Sequence, residues 1–238
     1  LQSRGLGDVY KRQPVALLTP ITIGTRSGSS WLIAVSTRSR GVMGMMNIRE
    51  VGRLSYSLAM ATQVALLRGI NVGGKNSLPM QELRDILFAL GCENVSTYIQ
   101  SGNAVFTSDV AEQTLAADIG STIGSRAGFT PSVLVIRGSR FLSIADANPY
   151  LRKGVDPGSL HVWFFDKSPR GVDSAGMEAE KKPTEAFELT RKALYLLAPD
   201  GIGRSKLASR VEKYLGVPAT ARNWRTVCKV AEMVRQTD

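Results

Sequence analysis

The stretch that decides the fold is residues 64–76, Val-Ala-Leu-Leu-Arg-Gly-Ile-Asn-Val-Gly-Gly-Lys-Asn. The apolar run at its start predicts a buried β-strand over residues 64–67. The glycine-rich residues that follow predict a loop. A helix is predicted over residues 79–90, because its apolar side chains recur on one face, proline suits its first turn and Gly91 suits its end. The stretch therefore leads a strand into a helix through a glycine-rich loop.

The residues that follow extend this unit. Patterns of apolar residues predict strands over residues 95–100 and 104–107, joined by a Ser-Gly-Asn turn. Asp109 and Glu112 resemble a capping box, which predicts a helix that ends near Gly128. One more strand is predicted over residues 132–136. The order β-α-β-β-α-β over residues 60–137 is typical of a ferredoxin-like unit.

The same order recurs after a polar connector at residues 138–158. The predicted elements are a strand at 160–165, a weak helix within 172–180, a hairpin at 186–189 and 193–197, a helix at 205–215 and a short strand at 219–221. Asn223 is predicted to cap a C-terminal helix. The sequence therefore predicts an α+β protein of two ferredoxin-like halves, 60–137 and 159–238, related by internal duplication and followed by a C-terminal helix.

The first fifty-nine residues have a different character. Residues 8–13, Asp-Val-Tyr-Lys-Arg-Gln, are the translation of a string that resembles the end of a sequencing-library adapter. We therefore expect residues 1–59 to be a disordered, non-native leader, read through from an adapter or an untranslated region, with Met60 as the natural start. The alternative is a targeting segment, since a basic pair precedes a short apolar run.

Charge and composition limit the classes of function. The net charge is +10, but residues 1–59 supply +6 of it, so residues 60–238 carry only +4. A footprint for nucleic acid is therefore weak. Two cysteines exclude a disulfide scaffold or a cysteine-rich zinc site and fit a reducing compartment. No apolar run reaches the roughly 20 residues that span a bilayer, so we expect a cytoplasmic protein without a membrane partner.

Four ordered motifs carry a resemblance to a known family. They are RGINVGGKN at 68–76, YIQSGN at 98–103, GRSKL at 203–207 and ARNWRT at 221–226. Together they resemble the bacterial family called domain of unknown function 1697, over essentially residues 60–238. The resemblance implies an α+β protein built from ferredoxin-like halves, and it implies no activity.

The first motif nearly matches the phosphate-loop pattern G-x-x-x-x-G-K-[ST]. Asn76 occupies the position of the metal-binding hydroxyl, however, and the helix begins about one turn later than in such loops. An antiparallel sheet also differs from the parallel sheets of nucleoside triphosphatases. Two interpretations remain: a glycine-rich turn without a ligand, or an anion-binding loop. The anion-binding candidates are Arg68, Asn71, Gly73, Gly74, Lys75 and Asn76.

A second basic loop leads into the helix at 205–215 and adds Arg204, Ser205 and Lys206 as ligand-binding candidates, because cations at a helix N-terminus are unfavourable unless an anion binds. We expect the two basic loops to lie at equivalent sheet ends and to face one ligand. The turn of Gln100, Ser101 and Asn103 is expected at the opposite end of its sheet. These three residues are secondary candidates, and so are Asn223, Trp224 and Arg225, although Trp224 is expected to pack in the core.

Other chemistry finds no support in the sequence. His161 is the only histidine and is expected to be a packed residue; no metal site, cofactor or catalytic residue is predicted. The leading hypothesis is a cytoplasmic module that binds a phosphorylated ligand, a nucleotide or nucleic acid, through the basic glycine-rich loops. The alternatives are an enzyme that acts on a phosphorylated small molecule and a structural or oligomerising protein without a ligand.

Overall fold

The computed structural model describes residues 25–27, 30–36, 43–47, 60–151 and 155–237. The chain divides into two compact units, Leu1–Ala59 and Met60–Asp238. In the first unit, strands β1 (Thr25–Ser27), β2 (Ser30–Ser36) and β3 (Met43–Asn47) form an antiparallel sheet in that order. The other residues of the expected leader lie outside the described ones, and the leader stays a prediction.

The second unit begins with a four-stranded sheet and two helices. The elements are β4 (Ala61–Arg68), α1 (Met80–Ala89), β5 (Glu93–Tyr98), β6 (Asn103–Ser108), α2 (Glu112–Ala127) and β7 (Ser132–Arg137). The strand order is β5-β6-β4-β7, and all neighbours are antiparallel. The element order over residues 60–137 is the predicted one.

A second four-stranded sheet follows. Its part of the chain contains α3 (Gly138–Asp146), β8 (Leu160–Phe164), α4 (Ser174–Glu180), β9 (Ala186–Leu189), β10 (Ala193–Leu197), α5 (Lys206–Leu215), β11 (Thr220–Asn223) and α6 (Trp224–Thr237). The strand order is β11-β8-β10-β9, again antiparallel throughout. Residues 60–151 and 155–237 thus contain two four-stranded antiparallel sheets and six α-helices, an α+β architecture as predicted.

Strand β4 explains why the apolar run at residues 64–67 is continuous. Val64 and Leu66 point to one face of the sheet, and Ala65 and Leu67 point to the other. All four are buried, since β4 lies in the interior of its sheet and both faces are covered. Helices α1 and α2 cover the face of Ala65 and Leu67.

The other face of the first sheet and one face of the second share a central core. This core is built from inward side chains of β4, β6 and β7, of β8 and β10, and of helices α3 and α6. Phe141 of α3 stacks on Phe164 of β8 at 5.1 Å between ring centroids. Tyr195 donates a hydrogen bond to the carbonyl of Ile144 at 2.8 Å. Helices α4 and α5 cover the outer face of the second sheet.

Two local predictions are wrong. The connector at 138–158 contains helix α3, whose Phe141, Ile144 and Ala145 are buried in the central core. Asp109 and Glu112 do not form a capping box, because α2 begins after Ala111 without a side-chain cap. The hydroxyl of Ser108 instead accepts from the backbone N–H of Val110 at 3.1 Å. None of the helices in the described residues is long and apolar enough to cross a bilayer.

Candidate functional site

The glycine-rich loop between β4 and α1 folds back on itself. The N–H of Asn71 donates to the carbonyl of Asn76 at 3.0 Å, and the N–H of Lys75 donates to that of Val72 at 3.1 Å. Gly73 and Gly74 lie between them with φ of 58° and 71°, the left-handed region that favours glycine. The tip of the loop is therefore an exposed tight turn, in which Val72 is 69% exposed. It differs from a phosphate loop, which wraps around its ligand and leads directly into a helix.

The amides of Asn71 and Asn76 hold this loop in shape. Asn71 Nδ2 donates to the carbonyls of Leu78 at 2.9 Å and Gln100 at 2.8 Å, and its Oδ1 accepts from the N–H of Leu78 at 2.8 Å. Asn76 Nδ2 donates to the carbonyl of Gly69 at 2.8 Å. Both asparagines adopt positive φ, which asparagine tolerates better than most residues. The expectation that they orient a ligand therefore has a competing structural explanation.

The turn between β5 and β6 lies against the same loop. The bond from Asn71 to Gln100 joins them directly, and the N–H of Leu67 donates to the carbonyl of Gly102 at 2.8 Å. The expectation that this turn lies at the opposite end of the sheet is wrong. Strands β4 and β5 are both antiparallel to β6, so they run parallel and end at the same edge. We call residues 69–79 and 99–102 the loop cluster.

The turn itself is tightly constrained. A Cβ at Gly102 would lie 2.6 Å from Leu67 Cβ and 2.8 Å from Ile70 Cδ1, so the two loops approach as closely as glycine permits. Ile99 has φ of 47°, an unfavourable conformation for a β-branched residue, and is 51% exposed. Backbone strain of this kind persists only where surrounding structure enforces it. The loop cluster is therefore a rigid feature of the fold.

Arg222 lies beneath the loop cluster and was not among the predicted site residues. It projects from β11 and is only 9% exposed. Its Nη2 donates to the carbonyls of Leu67 at 2.7 Å and Gly102 at 3.1 Å, and its Nε donates to Asn103 Oδ1. Burial lowers the pKa of the guanidinium to about 10. In the described part of the chain no carboxylate pairs with it, so its positive charge is not neutralised locally.

Asn103 links Arg222 to the turn. It is fully buried, and its Nδ2 donates to the carbonyl of Tyr98 at 3.1 Å and to Ser101 Oγ at 3.0 Å. Its role is to orient the guanidinium and to close the turn, and it is not accessible to a ligand. Gln100 and Ser101 remain exposed at the surface of the loop cluster.

Arg68, at the end of β4, also connects the first half to the second. Its Nη1 donates to the carbonyl of Ala219 at 3.1 Å and forms an ion pair with Glu212 of α5. Glu212 also accepts the N–H of Ala219 at 2.7 Å. The positive charge of Arg68 is therefore paired, unlike that of Arg222.

The second basic loop does not meet the loop cluster. Ser205 caps α5 by accepting the N–H of Ala208 at 3.0 Å and is buried, so its hydroxyl is not presented to a ligand. Arg204 and Lys206 are exposed at the start of α5, whereas Arg68 contacts Glu212 six residues further along the helix, about 9 Å away at 1.5 Å per residue. No hydrogen bond or ion pair among the described residues connects the two loops. The expectation that they face one ligand is therefore not supported by their contacts.

The remaining secondary candidates have structural roles. Asn223 Oδ1 accepts the N–H of Arg225 at 3.0 Å, which confirms the predicted cap of the C-terminal helix. Its Nδ2 donates to the carbonyl of Gly158 at 2.9 Å and lies 3.3 Å from His161 Nε2. Trp224 is buried in the central core, as predicted. Arg225 pairs with Asp156 at 3.0 Å on the surface.

The buried titratable groups of this unit give no sign of a catalytic site. His161 is buried, as expected of a packed residue, and desolvation lowers its pKa. Burial raises the pKa of the Cys92 thiol to about 11. Lys75 is exposed and has no partner among the described residues. The described residues contain no group of three or more histidine, cysteine, aspartate or glutamate side chains that could hold a metal ion.

Comparison with known proteins agrees with the motifs. The model of the family described as "Protein of unknown function (DUF1697)" matches residues 60–195. A solved structure, that of the conserved bacterial protein SP0830 from Streptococcus pneumoniae, is 27% identical, with a TM-score of 0.58, and the alignment covers 74% of this chain and 99% of that one. No curated protein matches the sequence. The motifs at 203–207 and 221–226 lie beyond the matched residues, whereas the first two motifs lie within them. The chain therefore belongs to the family of proteins of unknown function DUF1697.

Proposed function

We propose that residues 60–238 form a cytoplasmic module that binds a phosphorylated ligand at the loop cluster. The observation that carries the proposal is the buried charge of Arg222, which lies directly below the carbonyls of Leu67 and Gly102 without a carboxylate partner among the described residues. At an effective dielectric constant of about 20, an anion held about 8 Å from this charge would gain about 2 kcal/mol. The site therefore favours an anion over a neutral ligand.

The surface of the loop cluster offers groups that suit a phosphate. Lys75 is exposed and unpaired in the described residues, and Gly73 and Gly74 allow a close approach to the backbone because they carry no side chain. Gln100 and Ser101 border the same surface through the bond between Asn71 and Gln100. We propose Lys75, Gly73 and Gly74 as the residues that touch the ligand. Asn71, Asn76 and Arg222 would hold the loop cluster in its shape through their hydrogen bonds.

We further propose that the two halves are duplicated ferredoxin-like units. Numbered within each half, the strands of both sheets follow the order 4-1-3-2, with antiparallel neighbours. A helix also follows the first and the third strand of each half. The cytoplasmic location is supported by two free cysteines, Cys92 and Cys228, since free thiols persist in reducing compartments.

A structural protein without a ligand is the second candidate. It is favoured by the internal use of the motif side chains: Asn71, Asn76, Asn103 and Arg222 all donate to backbone or side-chain oxygens of the protein itself. In that case the motifs hold loops and halves together, and the exposed glycine turn has no partner.

The thermal midpoint of the full chain distinguishes these candidates. It is measured at low salt with nucleoside monophosphates, a sugar phosphate and a short RNA, each against sodium chloride of equal ionic strength. A compound at 100 times its dissociation constant adds about 2.7 kcal/mol if it binds only the folded state. We expect one phosphorylated class to raise the midpoint and Lys75→Ala to remove the shift. Lys206→Ala, an equal change of charge at the start of α5, should retain it.

Other outcomes have defined meanings. If none of the phosphorylated compounds raises the midpoint, the result contradicts the proposed binding at the loop cluster and favours the structural candidate. If a shift persists in Lys75→Ala, binding occurs away from the loop cluster. A compound that binds also supplies the substrate for a turnover assay, which tests the alternative of an enzyme acting on a phosphorylated small molecule.

A further inference from the structure

Two adjoining cavities lie between the start of β7 and the segment that leads into β11. The inner cavity has a volume of about 290 Å³, and the outer one has a volume of about 660 Å³. Lys167 and Val217 line both, so the two cavities are direct neighbours. Together they reach the size range of small-molecule sites. We call this feature the trough.

The two ends of the trough differ in chemistry. The inner cavity has a mostly apolar floor, formed by Val133, Leu134, Phe164 and Ala219, with Asp166 at its rim. The outer cavity is lined by two cations, Lys167 and Arg170, which are exposed. In the described part of the chain neither cation has a hydrogen bond or an ion pair. The trough is therefore apolar inside and positively charged outside.

The segment that carries the two cations is held in place. Arg140 Nη2 donates to the carbonyl of Phe165 at 2.6 Å, and Gln113 Nε2 donates to Asp166 Oδ2 at 3.3 Å. Ser168 Oγ donates to the carbonyl of Arg191 at 2.8 Å. These bonds anchor the segment to α2, to α3 and to the turn between β9 and β10. A segment that is already anchored loses less entropy when a ligand binds to it.

We propose that the trough binds a phosphate monoester whose organic body is flat and apolar. Two unpaired cations match the two negative charges of a phosphate monoester, whereas a carboxylate would neutralise only one of them. The apolar body would enter the inner cavity past Val217, and Asp166 would accept a hydrogen bond from a donor on its edge. None of these residues belongs to the loop cluster, and the inference does not rest on the function proposed above.

Three matched probes test the inference on the full chain by titration calorimetry. They are 1-naphthyl phosphate, which carries both the body and the anion, 1-naphthol, which carries only the body, and inorganic phosphate, which carries only the anion. We expect 1-naphthyl phosphate to bind at least about tenfold more tightly than either of the others. Equal binding of 1-naphthol, or no binding of 1-naphthyl phosphate, overturns the inference.

Variants then locate the site. The double change Lys167→Ala with Arg170→Ala is expected to weaken 1-naphthyl phosphate at least about tenfold. Val217→Glu introduces a negative charge between the two cavities that repels the phosphate. This variant should also weaken the binding of 1-naphthyl phosphate at least about tenfold. Lys206→Ala, which removes one charge from the first turn of α5, should leave the affinity unchanged. An equal loss in Lys206→Ala, or no loss in the double variant, contradicts the assignment.

The two proposals can fail separately. Lys75→Ala is titrated with 1-naphthyl phosphate in parallel. Loss of binding in Lys75→Ala but not in the double variant would overturn the trough and support the loop cluster. If only the double variant loses binding of 1-naphthyl phosphate, the ligand binds at the trough. That conclusion does not depend on the thermal midpoints of Lys75→Ala.

Discussion

Arg222 shows how one residue can connect motifs that are far apart in the sequence. Its guanidinium meets Leu67, Ser101, Gly102 and Asn103, more than a hundred residues earlier in the chain. It thereby joins the motif at 221–226 to the motif at 98–103 and to Leu67, the residue directly before the motif at 68–76. The partners are neutral, so the cation is held by hydrogen bonds rather than by an opposite charge. Such a residue is difficult to replace, because its loss leaves several buried acceptors without donors.

Replacement of Arg222 by methionine should therefore destabilise the protein strongly. Methionine retains much of the volume, but the carbonyl of Leu67 and the amide oxygen of Asn103 lose their donor. The carbonyl of Gly102 keeps the N–H of Leu67. At about 1–3 kcal/mol for each buried unsatisfied group, we expect a loss of at least about 2 kcal/mol, measured by urea unfolding. The control is Arg225→Met, three residues along the chain, whose ion pair with Asp156 lies on the surface and contributes little to stability. Equal midpoints for the two variants would contradict this role.

The sequence could predict the loop at residues 68–76, but it could not predict the hydrogen-bond partners of the side chains there. Glycines and asparagines predict left-handed turns from local chemistry alone. The partners of Asn71 and Arg222 are distant in the chain, however, and depend on which strand ends meet. The burial of Arg222 could not be predicted either, because an arginine in a short strand carries no local signal for burial.

Among the secondary-structure elements, the sequence patterns predicted the hairpin of β9 and β10 but not helix α3. The hairpin of β9 and β10 has the predicted bounds, since its apolar residues and turn are unambiguous. Helix α3 is only nine residues long, starts at a glycine and has no side-chain cap. Those features are typical of a loop, and the helix is stabilised by packing rather than by local propensity. Its apolar residues meet their partners only in the central core.

Phe141→Ala should show that this segment is part of the core and not a linker. Phe141 is fully buried and stacks on Phe164, so truncation leaves a cavity and is expected to cost about 3–5 kcal/mol. The matched control is Ser139→Ala on an exposed position of the same helix, with a change below about 0.5 kcal/mol. Both values come from urea unfolding. A loss below 1 kcal/mol for Phe141→Ala would mean that residues 138–158 act as a connector, as the sequence suggested.

At the scale of the whole molecule, the central core belongs to both halves of the second unit. It contains Val64 and Val105 from the first sheet, Val162 and Tyr195 from the second, and the inward residues of α6. The two halves therefore cannot bury their inner faces independently. Periodicity could identify two repeated units, but it could not show that one core joins them, because each strand pattern looks the same whichever partner covers it.

We therefore expect residues 60–238 to unfold in one cooperative transition. With Trp31→Phe, the remaining tryptophans, Trp163 and Trp224, report on the second half. With Cys228→Ser, which removes the exposed cysteine, the buried thiol of Cys92 reports on the first half through its labelling by a thiol reagent. The two probes should give the same urea midpoint, as two-state behaviour requires. Midpoints that differ by more than the experimental error would show that the halves unfold separately.

The long stretch of chain between the first sheet and α6 has a consequence for biosynthesis. The residues of α6 complete the cover over the inner face of the first sheet, which is made from a part of the chain synthesised much earlier. At about 5–20 residues per second, a ribosome adds the intervening residues in on the order of 10 s. During that time Val64, Leu66 and Val105 lack the partners that α6 supplies. The nascent chain should therefore be a substrate for chaperones that bind exposed apolar segments until α6 has emerged.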